Sequence, residues 1–425
     1  MSIYLGESQA YVWTIAAGGK AAFRVIPLKR EEIENDVREL RKTLDFGDGS
    51  IEKLRPFDLA RARKLYRTLF EPDELLWKDA QVLNVIPHGA LGQLPFALLV
   101  TAASIQQPTT GEQTAYRDVP WLIRKVALAQ LPSASAFAAL RRTPPGKAGR
   151  QAFIGFGDPL FAADAGVGAQ RGVVRNLVVR KVADAAEAQL NLMAQGQRPQ
   201  STGVVLVTRT LAQSFAQLSA LPDTSDELKE IAATLKADPA RDLFLSGRAT
   251  EKNVKQAGLE NRRVVAFATH GIASGEITGL DQPALVLANP ALTGDSENDG
   301  FLTMEEVLGL KLDADWVVLS ACNTASADGK GSEAVSGLGR AFFYAGARSL
   351  LVSNWAVETT SARLLTTELF RRQSGNQQLT RAESLRQSML ALMEKNATDA
   401  TGRATFSYAH PAFWAPFSLV GDGGR

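Results

Sequence analysis

The chain has little of what metal centres and secreted scaffolds are built from: 425 residues contain one cysteine, Cys322, and three histidines. A single thiol closes no internal disulfide, which removes the secreted disulfide scaffolds and leaves reactivity or plain burial as its role. Metal binding is disfavoured, since the possible ligands are few and no pair of them has ligand spacing. No stretch approaches the ~18 apolar residues of a membrane span, and the opening "MSIYLGESQAYVWTIAAGG" carries no basic segment ahead of an apolar one. Charge of one sign is lacking too. The 47 basic and 45 acidic residues leave a formal +2, and no basic run interleaves with aromatics, so neither nucleic acid nor a membrane is expected as a partner. The chain reads as a soluble, cytoplasmic protein with no cofactor and no 20 to 50 residue repeat.

What is present is apolar and patterned. Hydrophobic residues make up 45% of the chain, enough for one to three packed units. A hairpin, "AYVWTIAA" and "AAFRVIPL", precedes a helical "KREEIENDVRELRKTLD" with Ile33, Val37, Leu40 and Leu44 at helix spacing. Pro144, Pro145 and Gly146 punctuate the chain near residue 148, which predicts an N-terminal α+β module over 1–148 and a second domain over 149–425. Beyond that boundary the runs "AFIGFG", "VVAFATHG", "WVVLSAC" and "SLLVSNWAV" are apolar throughout and separated by helical patterns. This is the signature of an α/β fold with a mostly parallel sheet buried on both faces. Thr224 with Glu227, and Thr303 with Glu306, fit the capping-box spacing. A long irregular insertion at about 161–221 breaks the rhythm and is expected to be mobile, on the side of the active site.

In an open parallel sheet, functional groups gather at the carboxyl ends of strands. "RRVVAFATHGIASGE" delivers His270 at such an end, and "DADWVVLSACNTAS" delivers Cys322. A thiol with pKa ~8.5 needs a nearby imidazole to become a nucleophile at neutral pH. Gly271 follows the histidine directly, so its unhindered N–H, with that of Cys322, is the expected oxyanion hole. Taken singly, a lone cysteine is more often a buried structural residue, and a lone histidine is usually satisfied locally. Arrival of both at strand ends, each followed by small residues, favours chemistry. His88 and His410 read as structural.

The segments "NVIPHGALGQLPFALL", "FIGFGDP", "VVAFATHG", "LTMEEVLGLKLDADWVVLSACNTA", "GSEAVSGLGRAFFYAGARSLLVSNWAV" and "HPAFWAPFSLVGDG" together resemble the CHAT domain, a family of the caspase and separase clan of cysteine peptidases that is often attached to TPR repeats. The resemblance implies a caspase-like α/β/α sandwich around a His270–Cys322 dyad with no required third acid. It further implies an endopeptidase acting on one or a few protein partners in bacterial defence, regulated proteolysis or cell death, with a TPR-containing or other regulatory partner. Two alternatives stay open: a non-catalytic binding scaffold on a peptidase fold, and another Cys–His acyl transferase or amidase. At the place where resembling peptidases hold the residue before the cut, Asp158 is expected in the substrate pocket, with Trp355 as a flat wall and Glu358 as a second carboxylate. That arrangement suits a basic side chain, although Asp158 before Pro159 is also a common turn signal.

Overall fold

The computed structural model describes residues 1–44, 46, 51, 54–103, 106–163, 214–215, 218–277, 279–320, 337–355, 357–398 and 401–424. Most of the expected insertion, 164–213, lies outside the described residues.

The hairpin forms as patterned. β1 (Ser2–Leu5), β2 (Ala10–Ile15) and β3 (Ala21–Ile26) make an antiparallel sheet. Its inner residues Ile3, Leu5 and Val12 are buried in the same core as Ile33, Val37 and Leu40 of helix α1 (Arg30–Lys42). Its outer face leaves Tyr4, Trp13, Ile15, Phe23 and Val25 exposed.

The centre of the molecule is an eight-stranded sheet. Its members are β4 (Val82–Val85), β5 (Ala127–Gln130), β6 (Gln151–Pro159), β7 (Leu243–Ser246), β8 (Arg262–Ala268), β12 (Trp316–Leu319), β13 (Ser349–Ser353) and β16 (Phe417–Gly421), in the order β4-β5-β16-β13-β12-β8-β6-β7. Every neighbouring pair is parallel except β13 with β16. The sheet is therefore two parallel blocks of opposite sense, three strands and five, joined at one antiparallel seam. Strands β4 and β5 precede residue 148, yet they are hydrogen-bonded into the sheet that carries the later strands.

Alternation along each strand explains the layers. Val264, Ala266, Trp316, Val318 and Leu351 face a core filled by Leu228 and Ile231 of α3 (Pro222–Thr234), Leu365 and Leu369 of α7 (Thr359–Gly375), and Leu385 and Met389 of α8 (Arg381–Met393). Val265, Phe267, Val317, Leu319 and Val352 face the other core, covered by Val254 of α4 (Glu251–Gln256), Val307 of α5 (Met304–Gly309), and Leu338 and Phe342 of α6 (Gly337–Ala345). The expected α/β sandwich with a mostly parallel sheet is thus observed. A Cβ added at Gly157 would stand 2.6 Å from a Leu228 methyl, so the glycine lets α3 sit close on β6.

Two further small antiparallel units are present among the described residues. β9 (Gly271–Ile272), β10 (Ala284–Val286) and β11 (Phe301–Thr303) stand at the carboxyl edge of the five-strand block. β14 (Asn396–Thr398) pairs with β15 (Ala404–Ser407) near the end of the chain.

Thr303 caps α5 as its spacing predicts: Oγ1 accepts from the Glu306 N–H while the Glu306 carboxylate accepts from the Thr303 N–H. Thr224 and Glu227 correct their expectation. Pro222 opens α3 three residues earlier than a Thr224 cap would, where its missing N–H costs nothing, so Leu221 is the cap residue and Thr224 lies inside the first turn.

Candidate active site

His270 follows β8 by two residues, at the carboxyl edge of the five-strand block. The backbone turns there into the small sheet: the Val286 N–H donates to the His270 carbonyl at 2.9 Å, and Thr269 Oγ1 donates to the Val286 carbonyl. His270 and Val286 are therefore the hydrogen-bonded pair, which makes Gly271 and Leu285 the next, non-hydrogen-bonded pair of the ladder. Alternation then turns the Gly271 N–H away from β10. Among the described residues β9 is an edge strand, so that N–H points away from the three-stranded sheet.

The imidazole meets a backbone carbonyl. Nε2 lies 2.9 Å from the Ser219 carbonyl. A carbonyl only accepts, so this bond places the proton on Nε2 and makes Nδ1 the basic nitrogen of the neutral ring. The Phe161 ring packs on the imidazole at 5.4 Å between centroids. Phe161, Phe215, Leu218 and Leu221 join Ile272, Ile277, Ala284, Val286 and Phe301 in a third apolar cluster over this edge. His270 is consequently 1% exposed. The two described ends of the 161–221 stretch lie over it.

β12 lies beside β8 with Leu319 opposite Phe267, and the Ser320 N–H donates to the Phe267 carbonyl at 2.9 Å. Cys322, two positions after Ser320, lies outside the described residues.

Asp158 occupies the same edge one strand further on, since β6 pairs with β8 up to Gly157 opposite Ala268. It is the irregular residue between Gly157 and Pro159, with φ of +47°, a left-handed conformation that aspartate tolerates better than most residues. Its N–H donates to Thr224 Oγ1 at 2.8 Å. Burial is the main cause that raises its carboxyl to about 6, with Lys229 opposing and Asp223 and Asp226 adding to the rise.

Trp355 and Glu358 follow β13 at this edge, but both are corrected as pocket walls. Trp355 is 5% exposed and donates its indole N–H to the Ala412 carbonyl at 3.2 Å. Glu358 caps α7: its oxygens accept from the Thr360 and Ser361 N–H groups at 3.0 and 2.6 Å. The same carboxylate that reads as a ligand for a cation is what the first turn of α7 needs.

The other two histidines each accept a backbone N–H at Nδ1. His88 follows β4, whose sense is opposite to that of β8, and so lies at the opposite edge of the sheet. Its Nδ1 accepts from the Leu5 N–H at 3.3 Å, and burial lowers its pKa. His410 Nδ1 accepts from the Ala412 N–H at 3.2 Å, and burial lowers its pKa to about 3.

Sequence reasoning missed Ser219, Phe161 and Glu227. Glu227 is 0% exposed and accepts from the hydroxyls of Ser320 at 3.3 Å and Thr366 at 3.2 Å. Its spacing after Thr224 was the available signal, and it reads as a surface cap. Among the described residues, no group of three or more acidic, histidine or cysteine side chains is arranged to hold a metal ion, and no helix is long and apolar enough to cross a membrane.

The family model of the CHAT domain matches residues 59–422. No curated protein matches the sequence. Among solved structures, the chain is similar to the separase of Saccharomyces cerevisiae in its complex with securin, at 10% identity and a TM-score of 0.36; the match covers 80% of this chain and 15% of that one. It is also similar to the Arg-specific cysteine proteinase gingipain R, at 11% identity and a TM-score of 0.43, covering 93% of this chain and 76% of that one. A complex of the Porphyromonas gingivalis RgpB pro- and mature domains gives 9% identity, a TM-score of 0.41 and the same coverages.

Proposed function

The chain belongs to the CHAT domain family, and from that premise we propose that it is a cysteine endopeptidase whose dyad is His270 and Cys322. One observation carries the reading. β8 and β12 are parallel neighbours, and His270 and Cys322 each stand three positions beyond their last paired residues, Phe267 and Leu319.

In this reading the Cys322 thiol passes its proton to Nδ1 of His270, whose Nε2–H is anchored on Ser219. The thiolate attacks the peptide carbonyl, and the oxyanion that forms is met by the N–H groups of Gly271 and Cys322, at roughly 3 kcal/mol per donor. Breaking the C–N bond releases an amine that takes the proton back from the imidazolium. Water then hydrolyses the thioester, returning the thiol and freeing the new carboxyl end.

The substrate is a protein partner cut after a basic residue. Asp158, one strand from His270, is the group that an arginine or lysine side chain would pair with, and its raised pKa reports a carboxylate whose burial lacks full compensation. The setting proposed is the bacterial cytoplasm, in defence, regulated proteolysis or cell death, with a TPR-containing or other regulatory partner.

Burial of His270 at 1% favours a second reading, a scaffold that binds proteins without cutting them. The discriminating experiment is peptide-library cleavage by wild type, Cys322→Ala and His270→Ala at several calcium concentrations. Turnover by wild type alone supports the peptidase, and turnover retained by Cys322→Ala ends that reading.

A further inference from the structure

One short segment, Ser219 to Glu227, touches the ends of three adjacent strands of the sheet. The Ser219 carbonyl holds His270 after β8, Thr224 Oγ1 accepts from Asp158 in β6, and the Glu227 carboxylate accepts from Ser320 after β12. Thr224 in turn donates its hydroxyl proton to the Leu221 carbonyl at 2.7 Å, which fixes its orientation. Glu227 also bridges sideways, to Thr366 of α7.

A fully buried carboxylate is expensive, by several kcal/mol before its bonds compensate. The same helix face carries Leu228 and Ile231 in the core, so an apolar residue would fit the surroundings of position 227. What an apolar residue would lose is the pair of acceptors that fixes Ser320 against α7. Ser320 is the last described residue before Cys322, and its side chain points to the α3 side of the sheet with Trp316 and Val318, as alternation requires.

Resting on the peptidase reading above, we propose that Glu227 is a positioning residue for the nucleophile: through Ser320 it holds the end of β12 so that position 322 meets His270. Its action is indirect, because it touches neither substrate nor reacting atoms.

The test compares wild type, Glu227→Gln, Ser320→Ala and the double variant. Three readouts are needed: thermal unfolding, the rate of Cys322 alkylation by iodoacetamide across pH, and kcat and KM on a cleaved peptide. Both single variants are expected to stay folded, to shift the pH profile of alkylation upward, and to lose kcat by up to about 10²-fold with KM unchanged, the scale of a 1 Å misplacement. The double variant is expected to lose less than the product of the single losses, since both substitutions disturb the Ser320–Glu227 contact. Should Glu227→Gln fail to fold, Ser320→Ala removes a single hydroxyl and carries the test alone. An alkylation profile identical to wild type in a folded variant, or single losses that multiply in the double, would overturn the proposal. Alkylation requires no peptide hydrolysis. A wild type that cuts nothing, yet shows the shifted profile in its variants, would sink the peptidase reading and leave the positioning role standing.

Discussion

At Asp158 the left-handed backbone, the hydrogen bond to Thr224 and the raised carboxyl all come from one irregularity at the end of β6. Because kcat/KM reports the ionisations of the free enzyme, cleavage after arginine or lysine should rise with pH through about 6, where Asp158 ionises. The profile of Asp158→Asn should be flat over that range, and asparagine keeps the backbone because it also tolerates φ above zero. A wild-type preference for leucine or aspartate reporters would refute the basic pocket. The same shift acts on stability. A folded pKa raised above the unfolded value stabilises below the unfolded pKa, and that contribution is lost as pH rises through about 6. Asp158→Asn should therefore gain about 1 kcal/mol at pH 7 in urea unfolding, after allowance for solvent screening. The places of His270 and Asp158 at strand ends were legible in the sequence because an apolar run ends beside each of them. Trp355 and Glu358 were legible as positions only. Sequence shows that a carboxylate precedes a helix, but whether it caps the helix or meets a ligand is decided by the chain's direction in space.

The elements were legible where local signals act alone. Thr303 and Glu306 close a capping box on α5, and Thr303→Ala should cost about 1 kcal/mol in equilibrium unfolding; a loss below ~0.3 kcal/mol would contradict the cap assignment. Thr224 and Glu227 carry the same spacing and do different work, since Pro222 starts α3 earlier and turns both side chains inward. No local rule separates the two cases. The difference lies in Asp158, Ser320 and Thr366, which come from elsewhere in the chain. The strands were legible for the opposite reason: burial on both faces removes polar residues from them, and "VVAFA" and "WVVL" show it directly.

For the whole molecule, the parallel sheet was readable and its seam was not, because pairing β13 with an antiparallel β16 depends on where the last strand of the chain returns. With β4 and β5 beside β16, a fragment of residues 149–425 would leave β16 as an unpaired edge. We expect that fragment to aggregate or lose cooperative unfolding; a monomeric fragment with a sharp thermal transition would contradict the continuous sheet. Distant parts of the chain also converge on Asp315, whose carboxylate lies within 4 Å of Arg150, Arg263, Arg348 and Arg381. Asp315→Asn leaves these guanidiniums under-neutralised and should cost about 3 kcal/mol, read from the urea midpoint. The sheet brings the ends of β8 and β12 side by side, and the proposed dyad makes His270 and Cys322 one reactive unit. The direct measurement is the rate at which a peptidyl acyloxymethyl ketone modifies Cys322, followed by intact-mass spectrometry in wild type and in folded His270→Ala. The account predicts a single adduct on Cys322 in wild type and a rate about 10²-fold or more lower without the imidazole. Equal labelling of the two proteins would contradict it.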